Sequence, residues 1–203
     1  MRAATQVYEG GFSDAVFNSQ EVFRALMDAM ASPGRVIEIG NLAVAPSPIS
    51  SVAASVAATL FDHDATVWCD KSITGSVAAI GWLKFHTGLE LASNPSDAQF
   101  ALIGDLNTMP SLESFAKGTS EYPDRSTTII LQLDGFNGSE ELTLSGPGIK
   151  DTQGFAPSQL PKMFVDQWAA NRGAFPRGID LVLAGKGALA ALPRTTRISK
   201  KEA

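Results

Sequence analysis

The sequence predicts an α/β protein: one domain over residues 1–203, layered α/β/α around a mixed, largely parallel sheet. Three observations carry this reading. Segments with helical spacing of apolar residues alternate with short apolar runs of strand length for most of the chain. Residues 126–133 are apolar on both sides at Ile129, Ile130 and Leu131, as a buried central strand requires. No fixed-period repeat or low-complexity linker divides the 203 residues, a length sufficient to bury one substantial core.

The elements follow in order. Asn18 and Glu21 have the spacing of a capping box, and Val22, Phe23, Leu26, Met27 and Met30 recur at helical spacing, so a helix is expected over about 19–31. Ser32-Pro33-Gly34 stops it, because proline disfavours the helical state of its predecessor and glycine accepts positive φ. Residues 35–39 then read as a strand. After Pro46-Ser47-Pro48, the residues Ile49, Val52, Ala53, Val56 and Leu60 line one face of a second, small-residue helix. Residues 65–69 and 99–103 are strands, separated by a helix from about 74 to 85 that ends near Gly88. A short helix over 110–117, with Pro110 near its first turn and Gly118 past its end, precedes the central strand. Residues 141–144 form another strand, Leu160, Phe164 and Trp168 mark a helix that Gly173 closes, and residues 179–183 are a last apolar strand. Residues 185–192 stay open, since Gly185-Lys186-Gly187 can turn a hairpin while 188–192 has helical propensity.

Composition narrows the function classes. With 44% hydrophobic and 18% charged residues the chain is of soluble globular type. Residues 1–149 hold 7 Lys/Arg against 17 Asp/Glu, a charge of −10, and residues 150–203 hold 9 against 4, a charge of +5. A pI near 5.0 and no basic run longer than Lys200-Lys201 argue against nucleic acid. One cysteine excludes an intramolecular disulfide and suits a reducing compartment, and Cys69, next to Val67 and Trp68, reads as core filler. The N-terminal residues lack the apolar run of a secretory signal and nothing is long enough to span a membrane, so the expected compartment is the cytoplasm.

Signatures of nucleotide-binding loops, serine hydrolases and zinc proteases are missing. Asp62-His63-Asp64 is the one constellation of metal-ligand or acid/base residue types, but adjacent strand side chains point to opposite faces, so it reads as a turn after the second helix. His86 falls at a helix C-terminus, where a cationic imidazole would favour the dipole. None of the eight lysines has a setting that marks it for a pyridoxal phosphate Schiff base, and no nucleophile is visible. No metal and no cofactor is expected.

The C-terminal third carries three unusual strings: Gly146-Pro147-Gly148-Ile149, Phe175-Pro176-Arg177-Gly178-Ile179-Asp180 and Leu192-Pro193-Arg194-Thr195-Thr196-Arg197. Glycine at Gly146 and Gly148 lets the backbone N–H groups of Gly148 and Ile149 approach an anion, or makes a tight turn. Arg177, Arg194 and Arg197 with Thr195 and Thr196 have the chemistry to hold phosphate, or to dock a partner. Candidate ligand-binding or docking residues are therefore Gly146, Gly148, Arg177, Arg194, Thr195 and Arg197; no catalytic residue is assigned.

These strings close an ordered series: Gly11-Phe12-Ser13-Asp14, Ser19-Gln20-Glu21-Val22-Phe23-Arg24, Met27-Asp28-Ala29-Met30-Ala31-Ser32-Pro33-Gly34, Leu60-Phe61-Asp62-His63-Asp64-Ala65-Thr66-Val67-Trp68 and His86-Thr87-Gly88. In order and spacing the series resembles the H-subunit (PhnH) family of the bacterial carbon-phosphorus lyase system. One departure is Leu60-Phe61-Asp62 where Leu-Leu-Asp is usual, a mild change in an apolar site. The resemblance implies a fold similar to the large domain of pyridoxal-phosphate-dependent transferases, without the cofactor or its lysine. It also implies a homodimer that joins the G, I and J subunits, and an accessory role in converting ATP and an alkylphosphonate to a ribose 1-phosphonate 5-triphosphate. Catalysis in such an assembly, a transferase, is attributed to a partner, in accord with the lack of a nucleophile here. A second reading is an independent phosphate- or nucleotide-binding enzyme that uses the Gly146–Gly148 loop with Arg177, Arg194 and Arg197. A third, a degenerate pyridoxal-phosphate enzyme that still binds its cofactor, requires a lysine adduct.

Overall fold

A computed structural model describes residues 9–200. Its largest sheet has seven strands: β2 (Ile37–Glu38), β4 (Thr66–Cys69), β5 (Glu90–Leu91), β6 (Phe100–Ile103), β7 (Thr128–Gln132), β10 (Asp180–Ala184) and β11 (Ala188–Leu192). In space they run β2-β11-β10-β7-β6-β4-β5. The five strands β10-β7-β6-β4-β5 are mutually parallel, and β11 alone runs against its neighbours β10 and β2. The sheet is thus mixed and largely parallel, as expected.

Strand alternation sorts the core into two layers. Leu102, Ile130, Val182, Ala184, Leu189 and Ala191 face one side, against α1 (Ala15–Ala31), α2 (Ser51–Leu60) and α4 (Val77–Thr87). A one-turn helix α3 (Lys71–Thr74) adds Ile73 to that layer. Ala101, Ile103, Ile129, Leu131, Leu181, Leu183, Ala190 and Leu192 face the other side. That second cover is not purely helical. It combines α5 (Phe164–Gly173) with an antiparallel sheet of β12 (Arg197–Lys200), β8 (Leu142–Ser145) and β9 (Gln153–Phe155), from which Leu142, Leu144 and Phe155 turn inward. A ribbon of β1 (Gly11–Phe12) with β3 (Ala43–Val44) lies beside α2. Among the described residues no helix is long and apolar enough to cross a membrane.

Two local expectations change, and the segment left open takes one of its two forms. Helix α1 starts at Ala15, four residues earlier than the capping pattern suggested, because Asp14 is the N-cap and accepts from the N–H groups of Val16 and Phe17. Asn18 lies inside the helix and returns the bond, its Oδ1 accepting from the Asp14 N–H. Where a helix over 110–117 was expected, only a 3₁₀ turn forms at Leu112–Ser114. Thr127 pulls the following chain toward β7, its Oγ1 accepting from Ala116 N–H and its N–H donating to Ala116 O. The open segment 185–192 is a hairpin with Gly187 at φ 67°, and β11 pairs back along β10.

Candidate functional site

The three C-terminal strings converge at the amino-terminal end of β10. Antiparallel β11 returns the chain to the level of Asp180, so that Arg194 meets it. The Arg194 guanidinium spends all five of its N–H donors on protein acceptors. Nε bonds both Asp180 carboxylate oxygens, the Nη1 donors reach Pro123 O and Pro176 O, and the Nη2 donors reach Ser126 Oγ and Asp180 Oδ2. One side chain thereby ties the second string, the third string and the loop before β7 together. Asn171 of α5 adds a second clamp, donating to Ile179 O and accepting from Ile179 N–H.

The first string joins through β8, where Ser145 pairs with Arg197. A Cβ on Gly146 would stand 3.2 Å from Thr195 O, so the two strings are in backbone contact. Gly148 serves elsewhere. It has φ 81°, and a Cβ there would strike the carbonyl oxygen of Ala31 at the end of α1. The Ile149 N–H is used in a turn to Gly146 O at 3.1 Å. Thr196 is buried and its carbonyl receives the indole N–H of Trp168, while Thr195 is half-buried. Arg177 and Arg197 are the exposed guanidiniums of the strings.

Beside Gly148 lies an open cleft of about 560 Å³ between the end of α1 and the small sheet. Arg35 and Lys150 give it positive charge, Phe136, Ile149 and Phe155 an apolar floor, and Glu141 an opposing carboxylate.

The second place to look is set by topology, since open α/β sheets take ligands outside the carboxyl ends of their strands, where the chain reverses its progress across the sheet. Here the chain goes from β4 outward to β5 and then back to β6 on the other side of β4. Buried Asp70, just past β4, spans that point. Its carboxylate accepts from Ser72 Oγ at 2.7 Å, Ile73 N–H at 3.2 Å, Gly104 N–H at 3.1 Å and Asp105 N–H at 2.8 Å. Next to it, at the end of β7, the Gln132 carboxamide accepts from Ser50 N–H and donates to Pro48 O. The adjoining crevice of about 300 Å³ includes Ser50, Asp105, Asn107, Asp134 and Gln159, with two carboxylates and no cation in its lining. It offers acceptors rather than a seat for phosphate. Neither Asp70 nor Gln132 was singled out from sequence; a lone polar residue closing an apolar strand is the signal that marks both.

The remaining candidates fall into structural roles. Asp62 Oδ1 accepts from Asp64 N–H at 2.9 Å, the local bond expected of a turn, and His63 and Asp64 are solvent-exposed. Among the described residues no group of three His, Cys, Asp or Glu side chains is placed to hold a metal. Cys69 is core, its thiol pushed up to about 12 by burial and, secondarily, by the Asp70 charge. His86 departs from the expected cationic cap, because burial lowers its pKa and so disfavours the charged imidazole; a hydrogen bond with the Glu9 backbone opposes this in part.

The model of the bacterial phosphonate metabolism protein (PhnH) family matches residues 10–199. The chain belongs to this family. It is 43% identical over 201 residues to the alpha-D-ribose 1-methylphosphonate 5-triphosphate synthase subunit PhnH of Rhizobium meliloti (strain 1021), covering 99% of this chain and 100% of that one. It is also 32% identical over 185 residues to the putative C-P lyase subunit protein HtxG of Stutzerimonas stutzeri, covering 91% and 87% of the two chains. The series from Gly11-Phe12 to Arg197 lies within the matched span of the family, so the membership read from those motifs holds.

Proposed function

We propose that this chain is an accessory, non-catalytic subunit of the assembly that forms ribose 1-phosphonate 5-triphosphate from ATP and an alkylphosphonate in phosphonate catabolism. The observation that carries the reading is the full-length likeness to a relative named as a subunit of that synthase. The geometry supports it, since the convergent strings bind one another and the strand-end crevice lacks a cation. Gly146, Gly148, Arg194 and Thr195 then act as scaffold, and Arg177 and Arg197 as exposed docking charges. The partners are the G, I and J subunits, the catalysis is theirs, and the setting is cytoplasmic, which a single buried cysteine suits. One 203-residue domain with the likeness to pyridoxal-phosphate transferase large domains belongs to the same reading, supported by a seven-stranded sheet in which β11 alone is reversed.

We also propose a homodimer, with α1 as its seam. Helix α1 is apolar on two faces: Val22, Ala25, Leu26 and Ala29 point into the core, whereas Val16 (62% exposed), Phe23 (52%) and Met27 (55%) form a second stripe facing solvent. A helix apolar on both faces is one that is covered on both. The row beside the outer stripe, Glu21, Arg24 and Asp28, carries both signs, so two antiparallel copies of α1 set each Arg24 near a carboxylate of its mate, as a two-fold interface requires.

Co-expression with the G, I and J subunits tests the main reading: co-elution of all four is expected, and a chain that elutes alone overturns it. Light scattering of the isolated protein tests the seam. A dimer that Phe23→Asp converts to monomer is expected, and a dimer indifferent to that substitution removes α1 from the interface.

The alternative, phosphate binding by this chain alone, has the cleft with Arg35, Lys150 and Gly148 in its favour. Calorimetry with ATP and with methylphosphonate decides it: a micromolar affinity, about −8 kcal/mol, supports independent binding, and no heat supports the subunit reading.

A further inference from the structure

Helix α4 carries Trp82 and His86 four residues apart, one turn of helix, and their rings pack tilted against each other with centroids 4.6 Å apart and planes at 36°. Phe85 meets His86 edge-on at 5.0 Å. The backbone of Gly10-Gly11 lies against these rings. Both glycines have positive φ, 89° and 78°. A Cβ on Gly11 would fall 2.8 Å from both Cε1 and Nδ1 of His86, and one on Gly10 would strike the Val44 carbonyl and stand 3.4 Å from Trp82 Nε1. Only glycine lets the chain sit this close. Trp82 Nε1 and His86 Nε2 are both buried with no hydrogen-bond partner among the described residues.

Such a seat suits a neutral imidazole. A second ring proton would put a charge and a new donor at Nε2, where no acceptor among the described residues faces it. The charged groups of the packed elements do not remedy this: α4 brings the cation Lys84, the N-terminal segment brings Glu9, and the ribbon residues Gly11, Phe12, Ala43 and Val44 bring none. We propose that His86 is a proton-operated latch, which seats residues 9–12 on α4 when neutral and releases them when protonated. The lowered affinity of the ring for a proton agrees with this: burial disfavours the charged imidazole, and the hydrogen bond with the Glu9 backbone, which favours it, offsets that only in part. Release has somewhere to go: β1 runs directly into the Asp14 cap of α1, so unseating it frees the first turn of that helix, with its exposed Val16 and Phe17. The latch is a property of the single chain and stands whether or not the chain joins an assembly.

Nuclear magnetic resonance tests it in the intact protein. Between about pH 7 and about pH 5, the His86 ring is expected to titrate below the ordinary histidine range, and solvent exchange at the Trp82 indole N–H, relative to its intrinsic rate, to accelerate about tenfold with the same midpoint. His86→Phe keeps an aromatic ring but takes no proton, and its indole exchange is expected to lose that pH dependence. Acceleration that persists in His86→Phe overturns the latch. So does an indole whose exchange in the natural protein ignores the His86 midpoint, a result that needs no variant to fold.

Discussion

Arg194 and Asp180 hold each other through both carboxylate oxygens, with the Arg194 backbone N–H giving a further bond at 2.7 Å to Oδ1. Their side chains keep only 15% and 14% of their exposure. Asp180→Ala leaves a guanidinium largely buried without its counter-charge and is expected to cost about 3–5 kcal/mol, read by chemical denaturation. Arg194→Lys should restore little, since an ammonium lacks the planar fork that also reaches Pro123, Pro176 and Ser126.

Asp70 serves four donors from two strand ends. Asp70→Ala strands the N–H groups of Gly104 and Asp105 and removes the cap of α3, with an expected loss of about 2–4 kcal/mol. Asp70→Asn should recover only part of it, because either orientation of the amide points an NH₂ at donors. Denaturation midpoints of the two variants check the order.

Gly148 and Gly40 separate conformational strain from collision. Both have positive φ, 81° and 67°, but a Cβ at Gly40 meets nothing within 4 Å whereas at Gly148 it meets the Ala31 carbonyl. Gly40→Ala is expected to cost about 1 kcal/mol and Gly148→Ala clearly more, both by thermal melting. Equal costs would mean that the Gly148 contact with α1 gives way freely.

His86 sets a slope of stability against pH. Its folded pKa lies below the ordinary 6.5, so the unfolded chain binds more protons in that window and stability rises with pH. The contribution is present above 6.5 and is lost as pH falls from there toward the lowered folded value. Melting temperatures across this window are expected to fall more steeply for the natural protein than for His86→Phe.

The legible parts of the fold were those in which local pattern and tertiary setting agree. Ile129, Ile130 and Leu131 announced the central strand because both faces are buried, and Val52, Ala53, Val56 and Leu60 announced α2. Residues 110–117 misled because Thr127, distant in sequence, takes the hydrogen bonds a helix there would have used. β9 and β12 are short and mostly exposed, so the apolar signal of each is a single residue, Phe155 and Ile198. The three strings were visible as unusual, but their chemistry was not. Arg194 looks like an anion hook until Asp180, fourteen residues away, is brought against it by the reversal of β11. Asp70 was passed over because one carboxylate after a strand is ordinary, and its second set of donors, Gly104 and Asp105, lies more than thirty residues on.

The reversed strand has one more consequence, for the order in which the protein is made. α1, the first helix among the described residues, packs on β11, and β2 pairs with β11 as well, at Ile37 with Leu189. At about 5–20 residues per second, a ribosome takes about 8–30 s to travel from α1 to that strand. Throughout that interval the inner stripe of α1 lacks its full cover, and the outer stripe stands exposed as it does in the folded chain. The nascent chain therefore displays a doubly apolar helix for most of its synthesis, which makes α1 the natural point of attachment for a holding chaperone.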